Sequence, residues 1–125
     1  GMDAGKIYNT WPLMGSSFFP NDSSLYEFIN IKFFDNPSIV QFLHRLLAYL
    51  ILLVYIYLLI ISFNSKCESL HLPIIIIGIS LLIQIGLGII TLLSGVKILY
   101  ASLHQINSIF IVLSTIYLLY ISKYK

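Results

Sequence analysis

The sequence predicts an all-α integral membrane protein with three transmembrane helices, on three observations. Of its 125 residues, 58% are hydrophobic and only 10% are charged, against about a quarter charged in soluble domains. Mean hydropathy is +0.93. The apolar residues also fall in three long runs: 46–65 and 72–96 hold no charge, and 98–122 holds His104 as its one notable ionisable group. Each run has about 20–25 residues, enough for a helix to cross a hydrocarbon core of roughly 30 Å. Three such helices in so short a chain could not all bury one another.

Residues 1–36 do not span. Pro12, Pro20, "GSS" and "NDSS" are turn and loop signals. Within them "SLYEFINIKFF" sets Leu25, Phe28 and Ile29 on one helical face, with Glu27 and Lys32 toward water. This is either a short interfacial helix or an ordered loop. Gly1 precedes Met2, so "GMDAGK" reads as an expression scar or as the tail of a longer protein. No signal peptide is recognisable, because an apolar h-region behind basic residues is missing.

The first span covers 37–63. Asn36 caps it, and Pro37 suits the first turn, where a missing N–H costs nothing. After the polar connection "NSKCESLHL", Pro73 opens a second span over 73–95, which Gly95 stops. Lys97 marks the interface before the third span, 98–122.

Alternating spans put residues 1–36 and Lys97 on one side of the membrane and the terminal lysines on the other. Lys6, Lys32, Arg45 and Lys97 then stand against Lys66, Lys123 and Lys125. Positive charge therefore leaves the orientation open. A net charge of +2 without a basic cluster gives no sign of nucleic-acid binding. Cys67 is the only cysteine, which excludes an internal disulfide.

His44 lies seven residues beyond Pro37, and His104 seven beyond Lys97. Each is therefore about 10 Å along its helix. The first and third spans run in the same direction, so the two imidazoles share a depth near one membrane face. His71 is in the opposite loop, some 20 Å or more away. A haem iron with two axial ligands uses such a pair, and helix bundles build such sites in their cores. Ala48, Ala101, Gly86 and Gly88 leave room for a flat macrocycle, and Gln84, Asn107 or Ser108 could orient a ligand ring. Arg45 is placed to hold a haem propionate by a two-pronged hydrogen bond. Zinc fits less well, since no cysteine or carboxylate shares that depth. Plainer roles exist for each group: a histidine bonded to a carbonyl, an arginine snorkelling to headgroups, and glycines that pack helices.

Beyond these residues, "AGKIYNTWPLM" at 4–14, "FFDNPSIVQFLHR" at 33–45, "QIGLGIITLL" at 84–93 and His104-Gln105 occur in an order that resembles the second half of the haem A synthase family. That family has two related four-helix halves and oxidises a methyl group of haem O to the formyl group of haem A, which terminal oxidases need. The resemblance implies three transmembrane helices of an antiparallel four-helix bundle half, with the first helix of the half missing. It implies haem b as the cofactor and His44 and His104 as its axial ligands. The first half of the family carries a carboxylate three residues before its ligand histidine. This chain has Gln41 there, so it resembles the haem b half, with no catalytic residue of its own and no activity alone.

The implied partners are the lipid bilayer, the absent N-terminal half with its haem O substrate, and haem O synthase. The implied location is a bacterial or mitochondrial inner membrane, with residues 1–36 outside. A three-helix bis-histidine cytochrome b anchor of a respiratory dehydrogenase is the alternative, and it leaves "YNTWPLM" unexplained. A haem-free membrane protein is a third reading.

Overall fold

A computed structural model describes residues 3–24, 26, 34–65 and 67–124. Its elements are α1 (Pro37–Asn64), α2 (His71–Leu93) and α3 (Ile98–Tyr124), with 3-10 turns at Ala4–Lys6 and Glu68–Leu70. All three helices are long and apolar enough to cross a membrane. Extended pairing among the described residues is limited to one bridge, Met14 to Ser17. The residues of the interfacial-helix expectation, Leu25, Glu27, Phe28, Ile29 and Lys32, lie outside the described residues.

Local chemistry sets each helix end. Asn36 Oδ1 accepts from the backbone N–H of Ser38 at 3.0 Å and of Ile39 at 3.4 Å, satisfying two donors that have no partner within the helix. Pro37 takes the first helical position. Helix α2 starts at His71, two residues ahead of Pro73. The proline still falls in the first turn, whose N–H groups lack helical acceptors, so no helical bond is lost. At the far end of α2, Gly95 has φ +72°. There Val96 N–H donates to Thr91 O at 2.8 Å and Gly95 N–H to Leu92 O at 3.1 Å. This pair of bonds is a Schellman cap, which needs a left-handed residue where glycine carries no Cβ penalty.

Helix α2 is the central element, packed along α3 and less extensively against α1. The Tyr55 ring of α1 lies against Gly78 of α2, and its hydroxyl donates to Ile74 O at 3.1 Å. Ile39, Ile74, Ile77 and Leu81 are buried, whereas no residue of α3 is. Leu53, Leu82, Leu113 and Ile116 point outward. Lipid tails are as apolar as these side chains, so exposing them to lipid carries no penalty.

The N-terminal segment folds over the end of the bundle where α1 begins and α2 finishes. Met14, 1% exposed, is its anchor. A turn at Gly15 (φ +72°) brings Met14 N–H to Ser17 O at 2.8 Å. Phe18 and Phe19 then pack edge-on against Phe42 of α1, with centroids 5.7 and 5.2 Å away.

Candidate functional site

His44 on α1 and His104 on α3 face each other, with ring centroids 6.3 Å apart and planes at 64°. His44 is exposed, and its ring nitrogens make no hydrogen bond among the described residues. His104 is half-buried against α2 and held at both nitrogens. Its Nδ1 lies 3.1 Å from the backbone carbonyl of Gln84, and its Nε2 lies 3.2 Å from the Gln84 side-chain nitrogen. The carbonyl can only accept, so Nδ1 carries the proton and Nε2 the lone pair. Gly88 makes this seat possible, since a Cβ there would stand 3.0 Å from His104 Cε1.

Among the described residues, no third His, Cys, Asp or Glu joins the two histidines. A metal held here by protein needs a group that brings its own remaining donors, as a haem macrocycle does. The 6.3 Å between the ring centroids is compatible with both imidazoles holding such a group once the Gln84 amide leaves Nε2. Gly86, two residues from both Gln84 and Gly88, lies on the other side of α2, where a Cβ would meet nothing within 4 Å. Of the three candidate orienting groups, Gln84 contacts the ring with its backbone and its side chain. Asn107 is one step removed, donating to Gln84 Oε1 at 2.7 Å and to Ser80 O at 2.9 Å. Ser108 turns back to Gln105 O of its own helix.

Arg45 reaches over the same end of the bundle. Its NH1 donates to Pro12 O and Leu13 O at 3.3 and 3.2 Å, and its NH2 to Tyr8 O and Thr10 O at 3.3 and 2.9 Å. These four carbonyls supply dipoles but no countercharge, and the ion pair formed among the described residues is Lys6–Asp3. Gln41, one helical turn earlier, pairs with the Tyr8 backbone at both ends: it accepts from Tyr8 N–H at 3.2 Å and donates to Tyr8 O at 2.9 Å. The Asn9 side-chain amide lies against the Leu92 and Gly5 carbonyls, which can only accept, so with its nitrogen turned toward them it would donate to both at 3.3 Å. The "YNTWPL" stretch is thus tied to the start of α1 and the end of α2.

A second seam ties the loop to the first turn of α1. The Asp22 carboxylate accepts from Ser38 Oγ at 2.6 Å and Tyr8 Oη at 2.8 Å. The Ser38 hydroxyl is the main influence holding its carboxyl below the usual range. Burial, and then Asp22 itself, push the Tyr8 phenol up.

His71 plays no part in this site. It opens α2 at the other end of the molecule, stacked on Phe63 with centroids 4.5 Å apart and bonded to Ser62 O at 3.0 Å. Sequence reading missed the grip of Gln41 and Arg45 on the loop. Their i, i+4 spacing, with His44 between them, places all three on one helical face, but nothing in the sequence names the carbonyls they hold.

Comparisons with known proteins show the family. Residues 1–116 match the family described as Cytochrome oxidase assembly protein. The chain is 49% identical over 120 residues to a Heme A synthase of Pelagibacter ubique, covering 96% of this chain and 35% of that protein. It is 43% identical over 109 residues to a Heme A synthase of Rickettsia bellii (87% and 32%) and 39% over 123 residues to one of Rickettsia felis (98% and 36%). The chain spans about a third of the length of these relatives. No solved structure matches. The match favours the synthase reading over the dehydrogenase anchor, and the three long apolar helices make the chain a multi-pass integral membrane protein. The chain therefore belongs to the haem A synthase family of cytochrome oxidase assembly proteins.

Proposed function

We propose that this chain forms the haem b-binding part of a haem A synthase, an oxidoreductase that converts a methyl group of haem O to the formyl group of haem A. The observation that carries the reading is the facing pair, His44 and His104, at 6.3 Å on two helices that run in the same direction. Bound between them, haem b would supply reversible one-electron chemistry to the part of the enzyme that holds haem O.

The chain's own residues bind and orient. His104 presents Nε2 because Gln84 O holds the proton on Nδ1, the outer hydrogen bond that metal-bound histidines usually make. His44 presents its ring from the opposite side. Arg45 keeps a cation at the rim of the site. With NH1 and NH2 bonded to loop carbonyls, it would hold a propionate only by giving up one of those bonds or through its free Nε–H. The loop is held at the same end of the bundle by Gln41 and Arg45. Gln41 takes no proton in the reaction, since an amide does not ionise. The catalytic carboxylate, the haem O site and contact with haem O synthase belong to the remainder of the protein, in a bacterial or mitochondrial inner membrane.

Optical spectra test this reading. The protein with haem b should give a low-spin, six-coordinate spectrum. His44→Ala and His104→Ala should each lose it or convert it to a five-coordinate form, while His71→Ala leaves it intact. An unchanged spectrum in both ligand variants would falsify the assignment.

A further inference from the structure

The hydrogen bonds around His104 have a fixed direction, and that direction starts two side chains away. Asn107 Nδ2 faces Ser80 O, a backbone carbonyl that can only accept. The Asn107 nitrogen is therefore the donor on that side, and its second N–H points at the Gln84 side chain, 2.7 Å away. The Gln84 atom there must be an acceptor, Oε1. Its other amide atom, nitrogen, then donates to His104 Nε2 at 3.2 Å. Nε2 must accept, so the ring proton sits on Nδ1, where Gln84 O receives it at 3.1 Å. Starting from one carbonyl of α2, every proton in the chain has a single placement. Inside a membrane such a relay persists, because unpaired polar groups there are costly.

We propose that Asn107 is a positioning residue: by holding the Gln84 amide nitrogen toward Nε2, it keeps that amide from opposing the tautomer which the Gln84 carbonyl sets, with the proton on Nδ1 and the lone pair on Nε2 before haem is bound. The proposal rests on reading His44 and His104 as the axial pair, and adds two residues that never touch the metal. Without Asn107 the Gln84 amide is free to turn over. Its Oε1 would then face Nε2 and favour a proton there, the tautomer that cannot ligate through Nε2. The Gln84 amide also occupies Nε2 and must leave when a metal arrives.

Two measurements on the protein in lipid nanodiscs test this. Selective 15N-histidine NMR of the haem-free wild type should show His104 with Nε2 unprotonated and Nδ1 protonated. Finding the reverse tautomer overturns the proposal, without reference to haem. Haem titration then compares three variants. Asn107→Leu should show a mixed tautomer and bind haem about five-fold more weakly, roughly the effect of one net hydrogen bond. Gln84→Leu should keep the wild-type tautomer, since the carbonyl of residue 84 remains, and bind at least as well as wild type. The double variant should recover most of the affinity lost in Asn107→Leu, because the misdirected amide is gone. A double variant that loses more than either single change would show packing alone and would sink the proposal. If the wild type has the expected tautomer but gives no bis-histidine spectrum, the ligand reading has failed and the relay has not.

Discussion

At Gln41 and Arg45 the choice of side chain decides what the start of α1 can hold. An amide both donates and accepts, so Gln41 pairs with the Tyr8 backbone as another peptide group would. A carboxylate can only accept. Gln41→Glu should therefore lose the bond to Tyr8 O and set charge against that carbonyl, loosening the loop by about 1–3 kcal/mol. Hydrogen exchange at the backbone amides of residues 8–15 reads this loosening, and unchanged protection throughout would show that the bond to Tyr8 O does not hold the loop. Arg45→Lys keeps the charge but not the planar fork, whose two nitrogens now serve four carbonyls. It should free part of the loop without changing the ligand spectrum. The sequence draws attention to Gln41 as the place of a missing carboxylate. Its positive role depends on Tyr8, whose contact arises only when the loop folds back, and no local pattern encodes that. The His44–His104 pair was legible for the opposite reason. Depth along a helix follows from a uniform rise per residue, whatever the packing.

Between elements, contacts at α2 separate three glycines that look alike in the sequence. A Cβ on Gly78 would collide with the Tyr55 hydroxyl, one on Gly88 would press on His104, and one on Gly86 would meet open space. Gly86→Ala should be nearly neutral. Gly78→Ala should destabilise by about 1–3 kcal/mol through overpacking, and Gly88→Ala should also disturb the ligand spectrum by shifting the His104 ring. Thermal melts with parallel spectra would separate the three, and equal effects at all three positions would contradict these contacts. The seam between the loop and α1 responds to pH. The folded Asp22 carboxyl is more acidic than the unfolded one at about 3.9. Its contribution is thus complete above that value and lost as pH falls through the depressed folded pKa. Tyr8 behaves oppositely: its contribution is complete below about 10 and lost as pH rises through the raised value. Trp11 fluorescence should report an open loop at both extremes, and Ser38→Ala should move the acid transition to higher pH.

Across the described residues, α1 and α3 are joined mainly through α2, and the histidine pair is a place where they meet directly. The three spans were legible because lipid imposes length and apolarity on a helix, both of which are written in composition. How the spans lean on one another was not, because between apolar helices in lipid the sequence carries no hydrophobic contrast to read. A ligand bound by both histidines would link the two helices that have least direct contact. Any group that binds the folded state alone adds stability with its concentration, about 2.7 kcal/mol at 100 times its Kd. Haem in that excess should accordingly raise the melting midpoint of the protein in nanodiscs. His44→Ala should abolish most of this gain while leaving the haem-free midpoint close to wild type, since His44 is exposed and makes no hydrogen bond among the described residues. A gain that survives in His44→Ala would mean that haem stabilises the bundle without joining α1 to α3.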